Sequence, residues 1–238
     1  MLRAVLFDWG GTLMDDEWDE AIALEGHTAG LQAMQREGLP DAEAFGRFLT
    51  EHEAELFSPG GEDEVDIAAV MTRSFQRQGV DLTDDDVRLF LQATHNVWSS
   101  HWALGASTHA LLEALRGRGL KLAVVSNTAS PEWLLRPALE RQGIRDRVDA
   151  IVLSSEVGKR KPHPAIFQRA LSELGVAPDE ALFVGDRLRE DVFGASRVGM
   201  KTMQALWFRA DDGAAPVEPD YQAFTQMDVL NVVDRLAG

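Results

Sequence analysis

Cysteine is absent from the 238 residues of this chain, which excludes disulfides and any reaction that needs a thiolate. No apolar run is long enough to cross a bilayer, so a membrane partner is not expected. The opening residues carry no secretory pattern, because a strand and the polar Asp8 follow at once. The expected compartment is therefore the cytoplasm. Lysine is missing from residues 15–104, where 20 acidic side chains face 5 arginines, while the rest of the chain holds 19 acids against 18 bases. An acidic surface of this kind repels phosphate backbones, so nucleic acid is not an expected partner. The bland reading of the block is a set of well-solvated helix faces. Neither an internal repeat nor a low-complexity tract is found. What remains is a globular composition, 45% apolar, with no exposed seam that fixes an oligomeric state.

The texture along the chain changes twice. Residues 3–8 read as a strand. From 15 to about 101 the apolar spacing is helical, over 16–37, 41–57, 63–78 and 83–101. Breaks fall at Gly38-Leu39-Pro40, at Ser58-Pro59-Gly60-Gly61 and at Gly79. Thr83, followed by Asp84, Asp85 and Asp86, reads as a capped helix start. After 105 helices and strands alternate: helix 107–117, strand 121–125, helix 131–142, strand 148–153, helix 164–174, strand 181–184, helix 190–198, strand 200–206, then a short strand and a helix within 221–236. Such alternation predicts an α/β fold, a Rossmann-like parallel sheet with helices on both faces. The expected organisation is a discontinuous core, 1–14 plus 105–238, with a four-helix cap at 15–104. The loop 209–219 is the least structured internal stretch.

Four segments place polar groups at or just beyond predicted strand ends. Asp8 follows Ala4-Val-Leu-Phe7 and precedes Trp9-Gly10-Gly11-Thr12. Ser126-Asn127 closes Val124-Val125. Lys161 lies in Gly158-Lys-Arg-Lys161-Pro162. Asp186 and Asp191 lie in Val184-Gly185-Asp186-Arg-Leu-Arg-Glu190-Asp191. Each segment alone is as well read as a turn or a solvated loop. In a parallel sheet, however, all four termini meet at one edge. Carboxylates gathered there repel one another unless a cation joins them, and oxygen ligands suit a hard divalent ion such as Mg²⁺. A lysine and a hydroxyl beside them suit an anion with several oxygens, such as a phosphoryl group.

In these motifs, over essentially its whole length, the chain resembles the haloacid dehalogenase-like hydrolase superfamily, with a helical cap inserted after the first motif. The resemblance implies a covalent intermediate on Asp8. It gives Ser126 and Asn127 to phosphate binding, and Lys161 to neutralising both nucleophile and transferring group. Asp8, the Gly10 carbonyl, Asp186 and Asp191 become the metal set. Thr12 becomes the first-motif threonine, counted with the phosphate site through the loop it buttresses. The implied ligands are Mg²⁺ and a small phosphorylated metabolite.

One position departs from the pattern. Phosphatases of this superfamily usually carry a second Asp two residues after the nucleophile, and here that residue is Gly10. Loss of its acid–base help costs about 10²–10⁴ in rate, so acyl and aryl phosphates lose least. Three readings stay open beside the phosphatase. A degenerate member would bind a phosphorylated ligand or partner without turnover. Metal-free haloacid dehalogenases resemble the chain in nucleophile, Ser-Asn and lysine, but their last motif resembles Ser-x-Asn rather than Gly185-Asp186. Phosphonoacetaldehyde hydrolases resemble it in the first motif but need a cap lysine, which 15–104 lacks. His27, His52, His95 and His101 are candidate proton carriers. Asp15 and Asp16 are read as hinge-surface residues. Trp98 and Trp102, four apart, are expected to pack the cap rather than line a pocket.

Overall fold

The computed structural model describes residues 1–15, 19–57, 61–208 and 217–237. Residues Ala4–Phe7 form β1. An antiparallel ribbon of β2 (Met14–Asp15) and β3 (Ala103–Leu104) then brackets five helices: α1 (Glu20–Ala33), α2 (Ala42–Glu51), α3 (Glu53–Phe57), α4 (Ile67–Arg77) and α5 (Asp84–Ser100). The chain continues through α6 (Thr108–Gly117), β4 (Lys121–Ser126), α7 (Glu132–Arg141), β5 (Ala150–Leu153), α8 (Ser154–Val157) and α9 (Pro164–Leu174). It ends with β6 (Ala181–Gly185), a π-helical turn (Leu188–Phe193), α10 (Gly194–Arg197), β7 (Lys201–Ala205), β8 (Tyr221–Ala223) and α11 (Asp228–Ala237).

Six strands form one sheet in the order β5-β4-β1-β6-β7-β8, every neighbouring pair parallel. This is the doubly wound, Rossmann-like order, in which the chain works outward from β1 in one direction and then crosses to β6 for the other. All four residues of β1 are buried, because a parallel sheet is covered on both faces. Alternation along β1 sends Val5 and Phe7 to the face covered by α6, α7 and α11, and Ala4 and Leu6 to the face covered by α9 and α10.

The helices between β2 and β3 have their own core, in which Phe45 stacks on Phe75 at 4.5 Å and both meet Phe90 edge-on at 5.5 Å. Leu134 of α7 joins this cluster and so ties it to the sheet layer. Helix α1 carries two interior glycines, each costing about 1 kcal/mol in propensity relative to alanine. They let α5 come close: Thr94 Oγ1 donates to the Gly26 carbonyl at 3.1 Å, and a Cβ at Gly26 would stand 2.2 Å from Trp98 Nε1. The expected start of α5 is present as a reciprocal cap, with Asp86 N–H on Thr83 Oγ1 and Thr83 N–H on Asp86 Oδ2.

Three expectations are corrected. The segment 41–57 forms two helices rather than one, so 15–104 holds five helices among the described residues instead of four. His52 makes the break: its backbone leaves helical geometry at φ −113, and its ring Nδ1 bonds the Phe48 carbonyl at 2.9 Å. The helix expected at 63–78 starts at Ile67 after the Asp66 cap. Residues just before it are drawn off by the 158–160 loop, with Glu64 N–H on the Gly158 carbonyl at 3.1 Å and Arg160 N–H on the Glu62 carbonyl at 3.0 Å. The helix expected at 190–198 is a π turn followed by the short α10. Most of the 209–219 loop, and Asp16, lie outside the described residues.

Candidate active site

The switch point of the sheet lies between β1 and β6, and the crevice beyond their C-terminal ends is where open α/β sheets hold ligands. Asp8 follows β1 directly, its N–H held by the Val184 carbonyl of β6 at 2.9 Å. Asp186 follows β6, and Ser126 is the last residue of β4. Lys161 comes from the loop after α8, a helix ended by Gly158 at φ 72. Asn127 fixes that loop with two bonds, Nδ2 to the Lys161 carbonyl at 3.0 Å and Oδ1 from the Lys161 N–H at 2.7 Å.

At the centre is a buried ammonium between two carboxylates. Lys161 Nζ donates to Asp8 Oδ1 at 2.6 Å and to Asp191 Oδ1 at 2.7 Å. The π turn brings Asp191 back beneath Gly185, and its second oxygen accepts the Arg187 N–H at 2.9 Å. Single π turns of this kind recur at functional sites. Gly185 has no side chain to obstruct the return: a Cβ there would lie 2.3 Å from Asp191 Cγ.

Burial alone would lower the Lys161 pKa, but the Asp191 and Asp8 charges outweigh it and hold the ammonium at about 12. Burial pushes the Asp191 carboxyl up, to about 6, against the opposing pull of Lys161 and with a further push from the Asp8 charge. Oxygens of Asp8, Asp186 and Asp191 lie within 4.8 Å of one another. Three buried acids around one ammonium leave an excess of negative charge that a proton or a metal cation relieves. The all-oxygen donor set is of the kind that binds hard divalent cations.

A pocket of about 200 Å³ opens on this group, lined by Asp8, Gly10, Ser126, Asn127 and Lys161, with Arg160, Arg187 and Glu190 at its wall. Thr12 does not line it. Gly11, at φ 76, turns the chain so that Thr12 and Leu13 point into the interior, where the Thr12 carbonyl accepts Trp207 Nε1 at 2.8 Å. Thr12 therefore lies beneath the loop. Arg160, Arg187 and Glu190 were not singled out in the sequence, although they adjoin Lys161, Asp186 and Asp191 in the same strand-end segments.

A second cavity of about 280 Å³ shares Gly10, Ser126 and Asn127 with the pocket. Trp9, Trp98, Trp102 and His95 line it, with Trp102 edge-on to both Trp9 and His95. This revises the expectation for Trp98 and Trp102, which border a cavity as well as packing the helices. His95 is buried, and burial first, then the Arg141 charge, lower its pKa to about 4. His27 is lowered by burial and lines a larger chamber farther out. His52 stacks on Phe48, and His101 faces Glu25 at the surface. Asp15 pairs with Ala103 in the ribbon.

The family model of haloacid dehalogenase-like hydrolases matches residues 2–199, and the chain belongs to that family. Over 249 aligned residues it is 32% identical to a glyceraldehyde 3-phosphate phosphatase of Methanopyrus kandleri, covering 100% of this chain and 99% of the relative. It is 31% identical to a phosphoglycolate phosphatase of Aquifex aeolicus, over 87% of this chain and 85% of the other. Among solved structures, a HAD phosphatase from Thermococcus onnurineus superposes with a TM-score of 0.68 at 26% identity, covering 98% of each chain.

Proposed function

We propose that this hydrolase is a Mg²⁺-dependent phosphatase that acts through Asp8 on a small phosphorylated metabolite in the cytoplasm. The observation that carries the reading is the buried Asp8–Lys161–Asp191 group with Asp186 against it, at the switch point of the sheet. Relatives named as phosphatases along nearly the whole chain support it.

In this reading Asp8 attacks phosphorus through a carboxylate oxygen. The bond from phosphorus to the leaving oxygen breaks, and water then hydrolyses the acyl phosphate on Asp8. Lys161, protonated at any physiological pH, neutralises the nucleophile and the transferring oxygens. Ser126 donates its hydroxyl to the phosphoryl group. Asn127 acts by holding the Lys161 backbone, and Asp191 by orienting the ammonium. Asp8, Asp186, the Gly10 carbonyl and Asp191 would hold the Mg²⁺, which supplies charge neutralisation for a dianionic substrate. Residues 15–104 act as a cap that closes over 1–14 plus 105–238 and excludes water.

Gly10 offers no proton to the leaving oxygen. His95 borders the cavity that Gly10 also lines, but a histidine held at about 4 is neutral near pH 7, so it has no proton to give the leaving oxygen. Acyl and aryl phosphates, whose leaving groups need no proton, are therefore the favoured reactive class, while unactivated alkyl esters react slowly.

The test is phosphate release from acetyl phosphate with Mg²⁺ and with chelator, in wild type and in Asp8→Asn. Metal-dependent release that the substitution abolishes, with an unchanged melting temperature, is the expected result. Turnover that survives chelation would overturn the metal-dependent mechanism. No turnover at all would favour a ligand-binding role for a member that has lost its acid–base group.

A further inference from the structure

Beyond the aromatic cavity lies a chamber of about 520 Å³ among α1, α2, α4, α5 and the segment 129–134. The two share His95, Trp98 and Ser130, and the aromatic cavity in turn shares Gly10, Ser126 and Asn127 with the catalytic pocket. The three spaces therefore adjoin one another in a row that runs from Asp8 to the helices. Glycine at position 10 puts no side chain at the junction of the first two.

The chamber walls are apolar, with Leu49, Phe57, Met71, Phe90 and Leu134. Its volume lies within the roughly 300–1,000 Å³ typical of sites that enclose a drug-sized ligand. The buried rings of His27 and His95 lie among those walls. Glu20 and Glu53 also border the chamber, and a second anionic group on the guest would meet them.

We propose that this chamber seats the leaving group of the substrate, which makes the substrate a monophosphate of an uncharged, largely apolar compound. The inference rests on the phosphatase reading and narrows it: glyceraldehyde 3-phosphate and phosphoglycolate, polar and small, leave the chamber empty. With no proton donor at Gly10, a phenolic or acyl body in the chamber also supplies the stable leaving group that the site needs.

The experiment has two arms. The first measures kcat/KM with Mg²⁺ for acetyl phosphate, phosphoglycolate and a series of 4-alkylphenyl phosphates of increasing chain length. Each methylene that enters the chamber raises kcat/KM about fourfold, until the space is full. Replacement Ala23→Phe, at the chamber wall, lowers the ratio of the longest ester to acetyl phosphate at least tenfold. A flat series, with acetyl phosphate still turned over, overturns the chamber assignment and leaves the phosphatase reading standing. The second arm needs no turnover: 4-alkylphenols are titrated into chelated wild type and followed by tryptophan emission, which Trp98 reports from the chamber wall. Binding that tightens with chain length and weakens in Ala23→Phe is expected. If the phenols bind but no phosphate ester is hydrolysed, the chamber stands and the phosphatase reading falls. If they do not bind, the chamber assignment is wrong.

Discussion

Gly185→Ala tests whether Asp191 is the residue that holds Lys161 in place. The new Cβ would lie 2.3 Å from Asp191 Cγ and 2.5 Å from its Cβ, whereas real contacts of this kind do not fall below 3.0 Å. Asp191 must withdraw, and it cannot do so while keeping both Lys161 at 2.7 Å and the Arg187 N–H at 2.9 Å. Overpacking of this kind costs about 1–3 kcal/mol. Loss of a hydrogen bond to a charged group adds about 1.5–3 kcal/mol. For a chain of this size the sum lowers Tm by about 5–24 °C, at roughly 2–4 °C per kcal/mol. Misplacement of the ammonium by about 1 Å lowers kcat about 10²-fold. Thermal melts and acetyl phosphate hydrolysis read the two effects. A cycle with Asp191→Gly separates them from a generic strain on β6: in that background the contacts under 3.0 Å with Asp191 are gone, so the added cost of the alanine should fall sharply. A Gly185→Ala protein with wild-type Tm and wild-type rate would refute the reasoning. An undiminished cost in the Asp191→Gly background would assign the strain elsewhere.

Lys161→Met removes the one ammonium from a buried cluster of three acids, and in chelator it should destabilise the fold by about 3–5 kcal/mol; added Mg²⁺ should recover part of that, and an unchanged Tm would show the acids to be already protonated. Gly10→Asp should raise turnover of an alkyl phosphate by about 10²-fold if proton transfer to the leaving oxygen limits the rate. An unchanged rate there would mean that another step is slow. His95, lowered from 6.5 to about 4 by burial, binds its proton more readily in the unfolded chain, so it favours folding above pH 6.5 and this support is lost as pH falls towards 4. Asp191, raised from 3.8 to about 6, works in the opposite sense over part of the same window. The comparison is therefore between wild type and His95→Gln: wild type should lose more stability on acidification, and parallel melting curves would contradict the burial of a neutral ring.

The sheet was legible because its strands are short apolar runs that end in turn residues, and β1, β4 and β6 each stop at the polar group that matters. The site was legible for the same reason: Asp8, Ser126 and Asp186 take their positions from strand ends, which alternation alone locates. The limits are equally physical. Lys161 lies on a loop whose path depends on Asn127 and on the Glu62–Glu64 segment, contacts distant in sequence that leave no periodic trace. The π turn at Leu188–Phe193 has the composition of an ordinary helix, and its extra residue per turn is set by the need to fit Asp191 under Gly185. The break at His52 rests on one imidazole bonding the carbonyl four residues back. Trp98 and Trp102 have the spacing of packed residues, and no periodicity tells a wall that faces another helix from a wall that faces a void.

The loop that carries Lys161 is anchored from two parts of the molecule. Asn127 holds it from the sheet, and Glu62 and Glu64 hold it from the helical segment through backbone bonds, with the Asp63–Lys159 and Glu62–Arg197 ion pairs alongside. Exposed pairs of this kind contribute little stability, about 0–1 kcal/mol each, and salt weakens them further. Their mechanical consequence is larger than their energy. Any swing of the helical segment away from the sheet would pull on the backbone at Gly158 and Arg160, three residues and one residue before Lys161, so opening of the site and displacement of that lysine would be one movement.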